Sequence, residues 1–239
     1  MSKDGVYQRG DELLARIVAG DDTGLGNELL KEMFRGYPVE NLVQLLSSGN
    51  EQVVQSGTWI ASELARDARP ILRYLIPLFD HPNVRVRYYS VETVLTAATD
   101  EDGEVVGNAI SRITDNERPV RRMAFELMAR ADRSPLVAGV PYIEDPEIIA
   151  LLKWAMEVDS ESRDDDEIAA RLRESDGLGW LFAVVAAARV YGRNPYYLQL
   201  AASLGENDAQ SLAASELAWL SKLEEQAERR RERAERGNG

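Results

Sequence analysis

The chain has 239 residues, with 28 Lys and Arg against 41 Asp and Glu, a formal net charge of −13, one histidine and no cysteine. That length carries one large or two small domains with a buried core. The absence of cysteine excludes disulfide scaffolds, thiolate metal sites and thiol catalysis, and a single histidine, His81, cannot supply the imidazoles of most zinc or iron centres.

The opening stretch, MSKDGVYQRGDELL, has no apolar h-region, so secretion by a cleaved signal is not expected. Residues 9–35 read as two short helices around a Gly-rich turn, the core of an N-terminal cap over residues 1–36. Three related stretches follow: SSGNEQVVQSGTWIASELA from 47, DHPNVRVRYYSVETVL from 80 and TDNERPVRRMAFELMARA from 114. In register, Val53, Val86 and Val120 coincide, as do Gly57, Ser90 and Ala124, then Ile60, Thr93 and Leu127, then Leu64, Ala97 and Ala131. The spacing i, i+4, i+7, i+11 within each copy is one face of a helix, and the small residue at its second position lets a neighbouring helix approach closely. Segments upstream align as well: Val39, Leu42, Leu45 and Leu46 match Leu72, Leu75, Leu78 and Phe79. Val106, Ala109 and Ile113 continue the pattern, from which Arg112 departs. Polar turns stand between the two helices of each pair at Gly49-Asn50, Pro82-Asn83 and 115–119, with Pro119 in a first helical turn where its missing N–H does no harm. A helix pair repeated every 33 or 34 residues predicts a stacked array in which no unit buries its apolar face alone.

These stretches resemble HEAT repeats, whose second helix opens with Val-Arg and continues with paired small residues. The resemblance covers residues 37–132. It implies an all-α fold, a right-handed α-solenoid of HEAT-like helical hairpins with a helical C-terminal extension. It also implies a ladder between repeats from the turn Asp and the Arg after the Val: Asp80 with Arg87, and Asp115 with Arg121 one residue out of register. Ser48 and Val54 stand at those places in the first copy, where the ladder must stop.

Beyond the repeats, residues 133–158 read as a degenerate fourth helix pair, broken at Pro141 and restarted after Asp145-Pro146. Residues 159–206 read as an acidic connection followed by helices around Ile168 and Leu172, over 178–191, and from Asn194-Pro195. Residues 207–239 read as a long terminal helix that loses its apolar stripe after Leu223 and frays in its charged tail. The longest uncharged apolar run, residues 180–188, is too short for a bilayer, which needs about 20 residues. A soluble, cytoplasmic protein with no membrane contact is expected.

The candidate chemistry is thin. Asp164, Asp165, Asp166 and Glu167 lack the alternate spacing and glycine turn of a calcium loop and suit a helix N-terminus instead. TGLGN at 23–27 and DGLGW at 176–180 are glycine turns without the rest of a phosphate-binding fingerprint. His81 sits at an ordinary turn position, and the Arg229–Arg230–Arg231 run is interleaved with glutamates, as on a solvated helix face. No catalytic residue, metal or cofactor is therefore expected.

The sharper pattern lies opposite the core face of the repeated second helices. Gln55, Trp59 and Ser62 point away from it, with equivalents Tyr88, Glu92 and Leu95, then Arg122, Glu126 and Ala129. In HEAT solenoids the second helices line the concave surface, so Gln55, Trp59, Tyr88, Glu92, Leu95, Arg122 and Glu126 are the candidate partner-binding residues, aromatic anchors with acidic neighbours. The alternative for Trp59 is that the cap or the C-terminal helices cover it. The 22 basic and 36 acidic side chains of residues 1–221 leave that stretch at −14, which suits a basic protein partner and argues against nucleic acid. The expected function is a non-enzymatic protein-binding module, an adaptor or an immunity protein that neutralises a basic toxin. The alternative the resemblance allows is a HEAT-like DNA glycosylase; a lyase or adaptor acting on a cofactor-bearing protein has no residue in its support. Oligomeric state is not legible.

Overall fold

The computed structural model describes residues 7–21, 24–159, 166–204 and 208–237. Every regular element among them is helical, and the chain divides into two compact units, Met1–Asp145 and Pro146–Gly239. No described helix is long and apolar enough to cross a membrane.

The first unit opens with α1 (Gln8–Val18) and α2 (Leu25–Phe34), packed as a pair around Leu13, Leu14, Ile17, Leu29 and Met33. Next come α3 (Val43–Leu46), α4 (Glu51–Glu63), α5 (Val84–Ala97), α6 (Gly103–Ser111), α7 (Arg118–Arg130) and α8 (Arg133–Gly139). The repeated second helices are α4, α5 and α7, and they stack in that order. The starts of α4 and α5 are encoded alike: the Asn50 side chain accepts the Gln52 N–H and the Asn83 side chain the Arg85 N–H, capping the two helices. The i, i+4, i+7 face is buried in all three, through Val53 and Ile60, Val86, Ser90 and Thr93, and Val120, Ala124 and Leu127; Ala131, past the end of α7, is half-buried. Gly57 shows why a small residue stands in the middle: a Cβ there would lie 2.7 Å from Leu45 Cβ on α3.

The first members of the first two pairs depart, in part or whole, from the α-helices that the apolar spacing predicts, whereas α6 keeps α geometry. Residues Val39–Leu42 and Ala65–Asp80 are 3-10 helix. In the longer run, Pro70 and Pro77 lack the N–H that an α-helix would use and bias the preceding residue away from α geometry. The tighter winding still works because Leu72, Leu75 and Leu78 recur at the 3-10 period and are all buried.

Residues 133–158, read as one worn pair, fall in both units. The α8 helix packs against α6 so closely that a Cβ on Gly107 would lie 2.5 Å from the Gly139 carbonyl oxygen. The restarted helix, α9 (Pro146–Asp159), opens the second unit and packs against α11.

In the second unit α9 is followed by α10 (Asp166–Glu174), α11 (Gly177–Arg189), α12 (Tyr196–Ser203) and α13 (Asp208–Gly237). The central element is α11, whose residues 180–188 are all buried among α9, α10, α12 and α13. Trp180 donates its indole N–H to the Leu172 carbonyl at 3.0 Å, and the Arg171 guanidinium lies 4.1 Å over the Trp154 ring. From Lys222 onward the described side chains of α13 are exposed, where its sequence has lost the apolar stripe. Asp166 and Glu167 form the acidic first turn of α10, while Asp164 and Asp165 lie outside the described residues.

Candidate functional site

The row opposite the core face is built by α4, α5 and α7. Trp59, Tyr88, Glu92 and Leu95 are half-buried, and Arg122 is exposed. Gln55 is occupied: its Oε1 accepts from Asn83 Nδ2 at 3.0 Å, so it ties α4 to the cap of α5, beside a 2.8 Å bond from the same nitrogen to Glu51. Glu126, expected to be a free acidic neighbour, is buried instead, with 9% of its surface accessible. Its oxygens take Arg122 Nε at 2.9 Å and Arg130 Nη1 at 3.1 Å, one turn away on either side along α7. Glu126 is therefore taken up by two arginines of its own helix, and the open carboxylate of the row is Glu92.

Glu92 makes no ion pair among the described residues. Burial pushes its carboxyl above the ordinary glutamate range, and the charges of Glu63 and Glu126 push the same way. The opposing influence is the Ser62 hydroxyl, which also donates to the Trp59 carbonyl at 2.9 Å. Beside it, the Tyr88 phenol is pushed up to about 12 by burial and then by the charges of Glu92 and Glu126, so it stays protonated at neutral pH. The Tyr88 ring packs edge-on against Tyr89 with centroids 5.4 Å apart. Ser62 and Arg130 are the members that the sequence reading did not assign to the site. Arg130 has a visible signal, since arginines stand four residues either side of Glu126.

No protein-family model matches the chain, and no curated protein matches it. Among solved structures it is similar to an engineered protein determined as a structural-genomics target, at 15% identity over 91% of this chain and 92% of that one, with a TM-score of 0.45. That overlap is too loose to assign a fold family.

The expected ladder residues are all engaged. Arg87 donates to Asp115 twice, Nε to Oδ2 at 2.8 Å and Nη2 to Oδ1 at 3.0 Å, and its Nη1 reaches the His81 carbonyl at 2.8 Å. Arg121 repeats the second contact one copy later, with 2.8 Å bonds to the Asp115 and Asn116 carbonyls. Asp80 does not pair with Arg87; it takes Arg112 at 2.6 Å, the residue that breaks the apolar pattern of its copy. In place of an ion-pair rung, the first copy has hydrogen bonds from the Asn83 amide to the Gln55 amide oxygen and the Glu51 carboxylate. His81 is an ordinary turn residue whose Nδ1 accepts the Asn83 N–H at 3.1 Å.

Proposed function

We propose that the chain is a HEAT-type α-solenoid that binds a basic protein partner along Trp59, Tyr88 and Glu92, with Leu95 at the row's edge, and that it catalyses no reaction. Neutralising a basic toxin is one form such binding takes. The observation that carries the proposal is Glu92: a half-buried carboxylate without a cation, close to the Tyr88 phenol, in a row whose phenol and Trp59 indole N–H make no hydrogen bond among the described residues. A lysine or arginine from a partner would supply the missing charge, and the aromatic faces of Trp59 and Tyr88 favour such a cation. A phosphate backbone would meet the same carboxylate as repulsion.

The experiment is affinity capture with wild type and with Glu92→Lys, followed by direct titration of the captured protein. Retention of a partner of basic surface by wild type and its loss from a normally melting Glu92→Lys variant is the expected result. Equal affinity for both baits would move function away from this row.

A further inference from the structure

At the C-terminal end of the same helices lies a pocket of about 460 Å³, walled by the ends of α5 and α7, the chain just after α4, and Pro135 of α8. We propose that it binds a small organic oxyanion, a carboxylate or phosphate group carrying a short apolar part.

Helix C-termini present carbonyl oxygens, so the ends of α5 and α7 alone would favour a cation here. Three arginines reverse that: Arg66, Arg69 and Arg130 line the pocket against one acid, Asp132. Arg69 is held by Glu101 and by Asp102, the latter at 3.2 Å, and Arg130 by Glu126 at 3.1 Å. None of those three carboxylates belongs to the pocket wall. They therefore hold Arg69 and Arg130 from outside the wall, and the Arg69 guanidinium, with five N–H donors, keeps donors for a ligand beside Arg66. Arg66 makes no hydrogen bond or ion pair among the described residues. It follows Ala65, which at φ +48° is the one described non-glycine residue in the left-handed region. A conformation that costs an alanine about 1–2 kcal/mol thus precedes the arginine with no partner of its own. Leu95, Ala98 and Ala131 supply the apolar part of the wall, and the volume falls in the range of about 300–1,000 Å³ usual for small-ligand sites.

The pocket shares Leu95 with the edge of the row around Glu92, but its test uses its own probes and needs no protein partner. The full chain is titrated at constant ionic strength with pentanoate and, separately, with inorganic phosphate, following the backbone amides of Leu95, Thr96 and Ala98 by NMR. Saturable shifts are expected, with binding about tenfold weaker in Arg66→Gln, the loss of one charge-assisted hydrogen bond. Tighter pentanoate binding assigns the site to organic carboxylates, and tighter phosphate binding assigns it to phosphate groups. Glu92→Gln is expected to titrate like wild type. If neither anion moves these amides, or if Arg66→Gln binds both as wild type does, the pocket is not an anion site.

Discussion

Arg87 and Asp115 join consecutive repeats through a two-pronged ion pair that is almost closed to solvent, with 12% of the arginine and 6% of the aspartate side chain accessible. Burial raises the Asp115 carboxyl, but Arg87, the Glu117 N–H and the Arg112 charge together pull it below its ordinary value.

Removing one partner of so buried a pair leaves an uncompensated charge. Asp115→Ala is expected to cost about 3 kcal/mol at neutral pH, whereas Arg87→Met combined with Asp115→Leu recovers much of the loss. The pH dependence has a definite sign. A carboxyl whose folded pKa is depressed contributes stability above its unfolded pKa and loses it as pH falls through the folded value. The deficit of Asp115→Ala should therefore shrink on going from pH 7 to strongly acid solution. Urea denaturation at both ends of that range checks it, and a deficit that does not change with pH would remove Asp115 as its source.

Gly57 sets the distance between α3 and α4. Because a Cβ would lie 2.7 Å from Leu45 Cβ and 3.3 Å from the Leu45 carbonyl carbon, Gly57→Ala forces the helices apart. The intrinsic helix preference of alanine would by itself stabilise α4 by about 1 kcal/mol. Overpacking costs about 1–3 kcal/mol and should win, so the variant melts below wild type. A higher melting temperature would place Gly57 outside a close helix contact.

These two sites show what a sequence can carry. The face holding Val53 and Ile60, Val86 and Thr93, and Val120 and Leu127 is written in a local period, so its burial is legible without a partner in view. The 3-10 winding of 65–80 is less so, because Leu72, Leu75 and Leu78 satisfy either period and only Pro70 and Pro77 distinguish them. The contact of Gly107 with Gly139 joins residues with no shared period and cannot be read locally. In the candidate site, the positions of Trp59, Tyr88 and Glu92 follow from the repeat register. The loss of Glu126 to its own helix does not follow from that register, although Arg122 and Arg130 stand at the right spacing to announce it. Arg112 reads as a defect in its repeat, yet it is the partner of Asp80.

Ala65 offers a stabilising substitution. Glycine relieves the left-handed strain, worth about 1–2 kcal/mol, against about 0.4–1 kcal/mol of added unfolded-state entropy. Since Ala65 is exposed and its methyl makes no core contact to lose, Ala65→Gly is expected to raise stability slightly. Calorimetry settles the sign, and a clear drop in melting temperature would mean that the methyl group is packed.

Glu92 is the residue at which stability and binding pull in opposite directions. Its folded carboxyl is raised by burial and by Glu63 and Glu126, so the folded state favours the protonated form. Such a group adds stability at pH values below its unfolded pKa and loses that contribution as pH rises through the folded value. At neutral pH folding penalises the carboxylate relative to the unfolded chain, and Glu92→Gln, which keeps the shape and removes the charge, is expected to melt higher than wild type. The gap should narrow as the solution is acidified and wild-type Glu92 takes up its proton. The same variant should bind a cationic partner more weakly by about tenfold, the loss of one charge-assisted contact. Thermal melts of both proteins between pH 4 and pH 8 test the first half, and titration with the captured partner tests the second. A Glu92→Gln protein that melts lower than wild type at neutral pH would show that the carboxylate is satisfied within the fold, and the row would then have no vacancy for a partner's charge.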